Sequence, residues 1–158
     1  MVWARRFVAC LLVAFASCSS DGGPDPDLRT AGIYEAALRW ALETDSRPPP
    51  DDGHLIAVYV APSDGNSIAT EAQLEVVNTM RDEATLRFTD AQVDALEEDL
   101  EGRPVKDDGV LVIVGPVADR SPLDLEIEVY LNEVDDRSYV LRMASDGDDW
   151  RVTAATET

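Results

Sequence analysis

The chain has 158 residues, and 32 acidic residues against 13 Lys and Arg give it a formal charge of -19 at neutral pH. This composition excludes a nucleic-acid-binding surface, because phosphate contacts need clustered cations that the chain does not supply. Hydrophobic residues make up 45% of the sequence, which is enough for one core of ordinary domain size.

Residues 1–17 have the pattern of a secretory signal peptide. Arg5 and Arg6 supply the positive charge that opens such signals, and an apolar run over residues 7–16 follows them. That run is too short to cross a bilayer, which takes about 20 residues. We therefore predict a signal that is removed rather than a permanent membrane helix.

The end of this segment, Phe15-Ala16-Ser17-Cys18, resembles the lipobox of bacterial lipoproteins. In that family the Cys is lipidated and becomes the new N-terminus, so the resemblance implies a membrane anchor on Cys18 and a location outside the cytoplasm. The alternative is cleavage after the A-x-A pattern at residues 14–16, which gives a secreted soluble protein. Residues 18–27 are typical of a solvated tether, which leads to one domain over 28–158.

The first half of this domain alternates between helix and strand patterns. Apolar residues at helical spacing predict an amphipathic helix over 28–43, and the apolar run His54 to Ala61 predicts a buried central strand. A capping box at Thr70–Gln73 predicts a second helix with Leu74 on its apolar face. A short strand is predicted over 85–88.

The segment that follows predicts another short helix. Asp90 has the character of an N-cap, and Val93, Leu96 and Leu100 stand at helical spacing after it. Gly102 is a suitable helix end.

The last third has the alternation of antiparallel strands. Strands are predicted over 110–114 and 125–131, then a turn at Asp135-Asp136 and a hairpin turn at Asp146-Gly147. The predicted fold class is α+β. An N-terminal amphipathic helix packs on a curved, mostly antiparallel sheet that ends in a β-meander, with one or two additional short helices.

Two stretches carry a second resemblance. Gly109 to Val117 (GVLVIVGPV) and Trp150 to Ala154 (WRVTA) are similar to segments of small exported bacterial proteins of uncharacterised function. The resemblance covers most of residues 33–155 and implies an exported domain, but no activity, substrate or catalytic residue. A helix against a curved sheet is also similar to cystatin-like and nuclear-transport-factor-2-like folds, an analogy without functional content.

The chain has few residues for thiol or metal chemistry. Cys18 and His54 are the only Cys and His that remain after removal of the signal, which excludes thiol catalysis and Cys/His zinc sites in the domain. A serine triad would depend on His54 alone, and no phosphate-binding glycine-rich loop is present. We predict no catalytic, cofactor-binding or metal-binding residue.

Carboxylates are the remaining candidates. Glu126 and Glu128 share one strand face with Tyr130, a row that suits either a cationic ligand or a solvated sheet face. The acids at the two predicted hairpin turns fit turn chemistry better than the calcium-loop pattern. The acidic run over 97–101 is interpreted as a solvated helix end rather than as a cation or partner site.

Trp40 and Trp150 are expected to be core residues rather than ligand platforms. The pattern favours a non-catalytic binding or interaction module, anchored to a membrane through Cys18, with a protein or cationic partner. The alternative is a small carboxylate-based, glycosidase-like hydrolase with its site between the first helix and the sheet. Such an enzyme needs two acids held in a cleft, at least one with a raised pKa.

Overall fold

The computed structural model describes residues 25–45, 53–119, 122–147 and 149–158. The predicted signal peptide, Cys18 and most of the tether lie outside these residues. The elements in chain order are helix α1 Pro26–Asp45, strand β1 Ala57–Pro62, helix α2 Thr70–Met80, strand β2 Thr85–Phe88, 3-10 turns Gln92–Ala95 and Lys106–Asp108, and strands β3 Val110–Val114, β4 Leu123–Asn132, β5 Asp135–Asp146 and β6 Asp149–Glu157.

The six strands form one open sheet in the order β2-β1-β3-β4-β5-β6. Strand β1 runs parallel to both of its neighbours, and the other three pairings are antiparallel. Strands β4, β5 and β6 are consecutive in the chain and form a meander. The predicted α+β class is confirmed, with an N-terminal helix, a second helix and a mostly antiparallel sheet.

Helix α1 packs on the sheet through its apolar stripe. Ile33, Ala37, Leu38 and Ala41 are buried, as their spacing predicts. They join one core with the meander residues that face them (Ile127, Val129, Leu141 and Met143). The helix begins at Pro26, two residues before the predicted start, and Pro suits the first helical position because its missing N–H has no partner there in any helix.

The central strands β1 and β3 are buried along their whole length. One face of this pair lies under the helices, and a second core covers the other face. The members of the second core are Ala57, Tyr59, Ala61, Ala95, Leu96, Val105, Leu111 and Ile113. Its cover is the segment over residues 89–109, which we call the covering segment. The prediction of a buried central strand is confirmed, although the strand begins at Ala57 and not at His54.

The predicted helix from Asp90 to Leu100 is wrong. Only the 3-10 turn Gln92–Ala95 forms, after which Leu96 has an extended backbone and pairs with Val105. Val93 and Leu100 are exposed, so the helical spacing of the three apolar residues does not correspond to a buried face. A short helix without a packed apolar face is not stable in water, and the segment instead gains sheet-like pairing.

The capping box at the start of α2 is also wrong. Thr70 is the first helical residue, and Ala69 stands at the N-cap, where its methyl group cannot accept a hydrogen bond. The side chain of Gln73 donates to the carbonyl of Ile68 at 2.8 Å. The buried face carries Ala72, Val76 and Met80, while Leu74 is exposed.

The turn between β4 and β5 lies one step earlier than predicted. Residues 133–134 form the turn, with Val134 94% exposed, and Asp135-Asp136 are already the first residues of β5. The hairpin turn between β5 and β6 is confirmed at Gly147, which has a φ of 70° that L-residues rarely adopt.

Gly109 allows the covering segment to approach the sheet, and its substitution tests that contact. A Cβ at this position would stand 2.5 Å from the carbonyl oxygen of Ala57, a backbone atom that cannot rotate away. We expect Gly109→Ala to lower the free energy of unfolding by about 1–3 kcal/mol. Gly115→Ala, whose Cβ would stand 3.0 Å from the Glu126 carbonyl, should cost less. Denaturant titration measures the free energy of unfolding of both variants. An equal loss in the two variants, or a larger loss for Gly115→Ala, would contradict this role of Gly109.

Candidate functional site

A cleft of about 1030 Å³ opens between the start of α1, the segment before β4 and the β5–β6 hairpin. We call it the α1–hairpin cleft. Its volume is at the upper end of the range of small-molecule sites. The described residues that line it are Asp25, Leu28, Arg29, Gly32, Glu35, Glu75, Asp119, Pro122, Leu123, Arg142, Met143, Ala144, Ser145, Gly147, Trp150 and Thr153.

One wall of the cleft is apolar and accessible. Leu28, on the first turns of α1, is 55% exposed, and Trp150 at the start of β6 is half-buried. Leu123 and Met143 contribute the buried residues beneath. Trp150 packs against the core as predicted, but it also presents surface to the cleft. Trp40, in contrast, contacts Tyr139 edge-on at 4.9 Å, away from the cleft.

Arg29 joins the three parts of the cleft. Its guanidinium lies 5.5 Å from the centre of a Trp150 ring, in cation–π geometry. One Nη donates to the carbonyl oxygen of Ala118 at 3.0 Å, and the other faces the carboxylate of Asp119 at 3.4 Å. Arg29 thereby links α1, the segment before β4 and the final strand.

The acids of the cleft differ in their partners. Glu35 forms an ion pair with Arg39, which also pairs with Glu83 in the turn after α2. Asp25 accepts a hydrogen bond from the backbone N–H of Asp27 at 3.0 Å. No salt bridge within the described part of the chain joins Asp25 or Glu75 to a cation. The cleft therefore has more carboxylates than its two arginines balance.

A smaller cavity of about 220 Å³ lies at the carboxyl ends of β1 and β3, beside the start of α2. The chain connects β1 to β2 on one side and returns to β3 on the other, so this is the topological switch point at which many α/β proteins bind ligands. The hydroxyl of Tyr34 donates to the carbonyl oxygen of Gly115 at 3.1 Å, and burial raises the pKa of Tyr34 to about 12. The cavity is smaller than typical ligand sites, and Tyr34 already has its partner.

The predicted row of Glu126, Glu128 and Tyr130 lies on the sheet face opposite the helices, in one line along β4. Glu126 is exposed, and the hydroxyl of Tyr130 donates to the Arg103 carbonyl at 3.0 Å. Burial, with a smaller contribution from the charge of Asp136, raises the pKa of Glu128. The row is separate from the acids of the α1–hairpin cleft.

A polar contact fastens the covering segment to the sheet. The hydroxyl of Tyr59 donates to Asp107 at 2.8 Å, and Arg87 pairs with the same carboxylate and packs over the Tyr59 ring. These hydrogen bonds lower the pKa of Asp107. Asp107 has a φ of 56°, which is uncommon for a residue other than Gly. The arrangement positions the segment, and it lies outside the cleft.

The other candidates from the sequence do not meet at one place. His54 is an exposed residue just before β1, and the acidic run over 97–101 lies in the covering segment rather than at a helix end. Across residues 25–45, 53–119, 122–147 and 149–158, no group of three or more His, Cys, Asp or Glu side chains has the geometry to hold a metal ion. Cys18 lies outside the described residues.

No protein family, curated protein or solved structure matches this chain. Among the helices that the structure describes, none has the length and apolar composition needed to cross a membrane.

Sequence reasoning placed an alternative site between the first helix and the sheet, where this cleft opens, but it did not identify the residues that line it. Leu28, Arg29 and Trp150 come from opposite ends of the domain, and nothing in their local patterns pairs them. The one available signal was Leu28, an apolar residue outside the buried stripe of α1.

Glu128 provides a test of the acidic row. Because its pKa is raised in the folded state, the fold binds its proton more tightly than the unfolded chain does, and stability is lost as the pH rises through the folded pKa. At pH 7, Glu128→Gln should therefore raise the free energy of unfolding, by no more than about 0.5 kcal/mol for so accessible a group. Below the ordinary Glu pKa of 4.5 the gain should vanish. Glu126→Gln removes the same charge from the exposed neighbour, and an equal gain from both variants would mean that net charge, rather than the burial of Glu128, explains the result.

Proposed function

We propose that this chain is a lipid-anchored protein outside the cytoplasm and that it acts as a non-catalytic binding module. The anchoring rests on the signal-like segment over residues 1–17 and on the lipobox-like Phe15 to Cys18. The domain then begins at α1, a few residues after the lipidated Cys18. With a formal charge of -19, the chain is repelled by an anionic lipid surface, so the lipid has to provide the attachment.

The binding role rests on one observation, the accessible apolar wall of the α1–hairpin cleft. Leu28 is 55% exposed in a concave site that also includes Trp150. An apolar ligand that covers Leu28 removes this surface from water. Each Å² of apolar surface buried in this way stabilises the complex by roughly 25 cal/mol. Concave sites with apolar walls and a few polar groups are the usual form of ligand pockets.

The hydrolase alternative receives less support from the same cleft. A general acid needs a desolvated carboxyl group whose neutral form persists near neutral pH. Within the part of the chain that the structure describes, no charged side chain is fully buried, and Asp25 and Glu75 are exposed. We therefore favour recognition over catalysis.

The anchoring is tested by Cys18→Ala. Without the thiol no diacylglyceryl group can be attached, so we expect the protein to move from the membrane fraction to the soluble fraction, or to accumulate with its signal uncut. Fractionation and mass spectrometry of the N-terminal peptide measure both. Unchanged membrane association together with an unmodified wild-type Cys18 would show that the anchor is absent.

The binding role is tested with Nile red, a neutral dye whose fluorescence rises in apolar sites. We expect saturable binding of one dye per chain, weakened about tenfold by Leu28→Asn, because most of one leucine contact is lost. Leu74→Asn is a matched control, since Leu74 is 59% exposed on the other helix and does not line the cleft. If both variants weakened the dye equally, or if no saturable signal appeared, the cleft would not be the binding site.

A further inference from the structure

The charges of the α1–hairpin cleft restrict the ligand that can enter it. The two arginines among the lining residues already have anionic or carbonyl partners. Arg29 lies between Ala118, Asp119 and the Trp150 ring. Arg142 forms two parallel hydrogen bonds to Asp124, at 2.9 and 3.2 Å, which is the strongest geometry for this pair. An anionic ligand would have to displace these contacts before it gained its own.

Three of the four carboxylates that line the cleft lack a strong ionic partner; the exception is Glu35, which is paired with Arg39. Asp25 and Glu75 are exposed, and no salt bridge in the described ranges neutralises them. Asp119 faces Arg29 at 3.4 Å while its own side chain is fully exposed, so that pair is weak. In a chain with a formal charge of -19, these groups produce a negative potential that a cleft concentrates.

The indole ring of Trp150 also favours a cation over an anion. An indole ring is the best aromatic partner for a cation, because the face of the ring is electron-rich. Arg29 already occupies this position on Trp150, with its guanidinium 5.5 Å from the ring centre. The cleft thus combines an apolar surface at Leu28, an electron-rich ring and carboxylates without a close cation.

We propose that the α1–hairpin cleft binds a small organic cation with an apolar body, such as an alkylammonium of medium chain length. The alkyl part covers Leu28 and the edge of Trp150, and the ammonium group lies near Asp25, Glu75 or Asp119. This inference rests on the proposed binding function and adds the charge of the ligand to it. A metal ion is not suited to the site, because the apolar wall offers it no ligand.

The experiment compares three probes of equal chain length, hexyltrimethylammonium, hexan-1-ol and hexanoate. Each is titrated into the purified protein, as processed by the cell, while the indole N–H signal of Trp150 is followed by NMR. A titration without protein corrects for partition into any detergent. We expect the cation to bind about tenfold more tightly than the alcohol, because contact of the ammonium group with the carboxylates adds to the same apolar contact. Hexanoate should bind most weakly.

Charge variants test the origin of this preference. Asp25→Asn combined with Glu75→Gln should bring the affinity for the cation close to that for the alcohol and leave the alcohol unchanged. The control is Glu126→Gln combined with Glu133→Gln, which removes the same charge from exposed positions outside the cleft. This control should leave the affinity of the cation unchanged at physiological salt, because distant charges are screened.

The outcomes separate the two levels of the proposal. Equal affinities for the cation and the alcohol, or tighter binding of hexanoate, would overturn the preference for cations and leave the apolar binding function intact. Equal losses in the cleft variant and in the control variant would also overturn it, because the net charge of the whole chain would then explain the binding. Failure of Nile red to bind at Leu28 removes the binding function itself.

Discussion

Two apolar strands without a polar face determine the architecture. Strands β1 and β3 are buried over every residue, so both sides of this part of the sheet must be covered. The helices cover one side, and the covering segment over 89–109 covers the other. The contact of Tyr59 and Arg87 with Asp107, and the absence of a side chain at Gly109, keep that segment close to the strands. The meander needs one covered face only, and its acidic row along β4 is accordingly in contact with water.

The sequence predicts those elements whose pattern depends on burial alone. The stripe of α1 and the alternation along β4 are regular because each has one buried face, and both are found where they are expected. The interpretation of Val93, Leu96 and Leu100 as a helix failed because the covering segment gains its stability by contact with β1 and β3. No local pattern records such a contact. The parallel pairing of β1 with its two neighbours was likewise outside the reach of periodicity, which is identical in parallel and antiparallel strands.

The contrast between local sequence patterns and contacts of distant segments is even stronger at the candidate site. Sequence reasoning concentrated on residue types with known chemistry, and these turned out to be separated (His54 before β1, Glu128 on the far face, and the acids of 97–101 in the covering segment). None of the residues of the α1–hairpin cleft indicates a binding site by its type or its local sequence alone. Leu28 and Trp150 acquire a role because α1 lies along β6, at the opposite edge of the sheet from β2. A site of this kind depends on the packing of distant segments, so the residues that form it can be identified only when the fold is known.

The position of β1 has a consequence for how the chain reaches this fold. Val58 pairs with Leu86 on one side and with Val110 on the other, so β1 needs partners that come much later in the chain. Strands β4, β5 and β6 are joined by tight turns, and they can pair as soon as each has been made. In synthesis from the N-terminus, β1 is complete while its partner β3 is still missing, and it presents open edges with an apolar sequence. We expect the insertion of β3 between β1 and the meander to be the late, slow step of folding. Until that step is complete, the high negative charge of the chain is its main protection against aggregation.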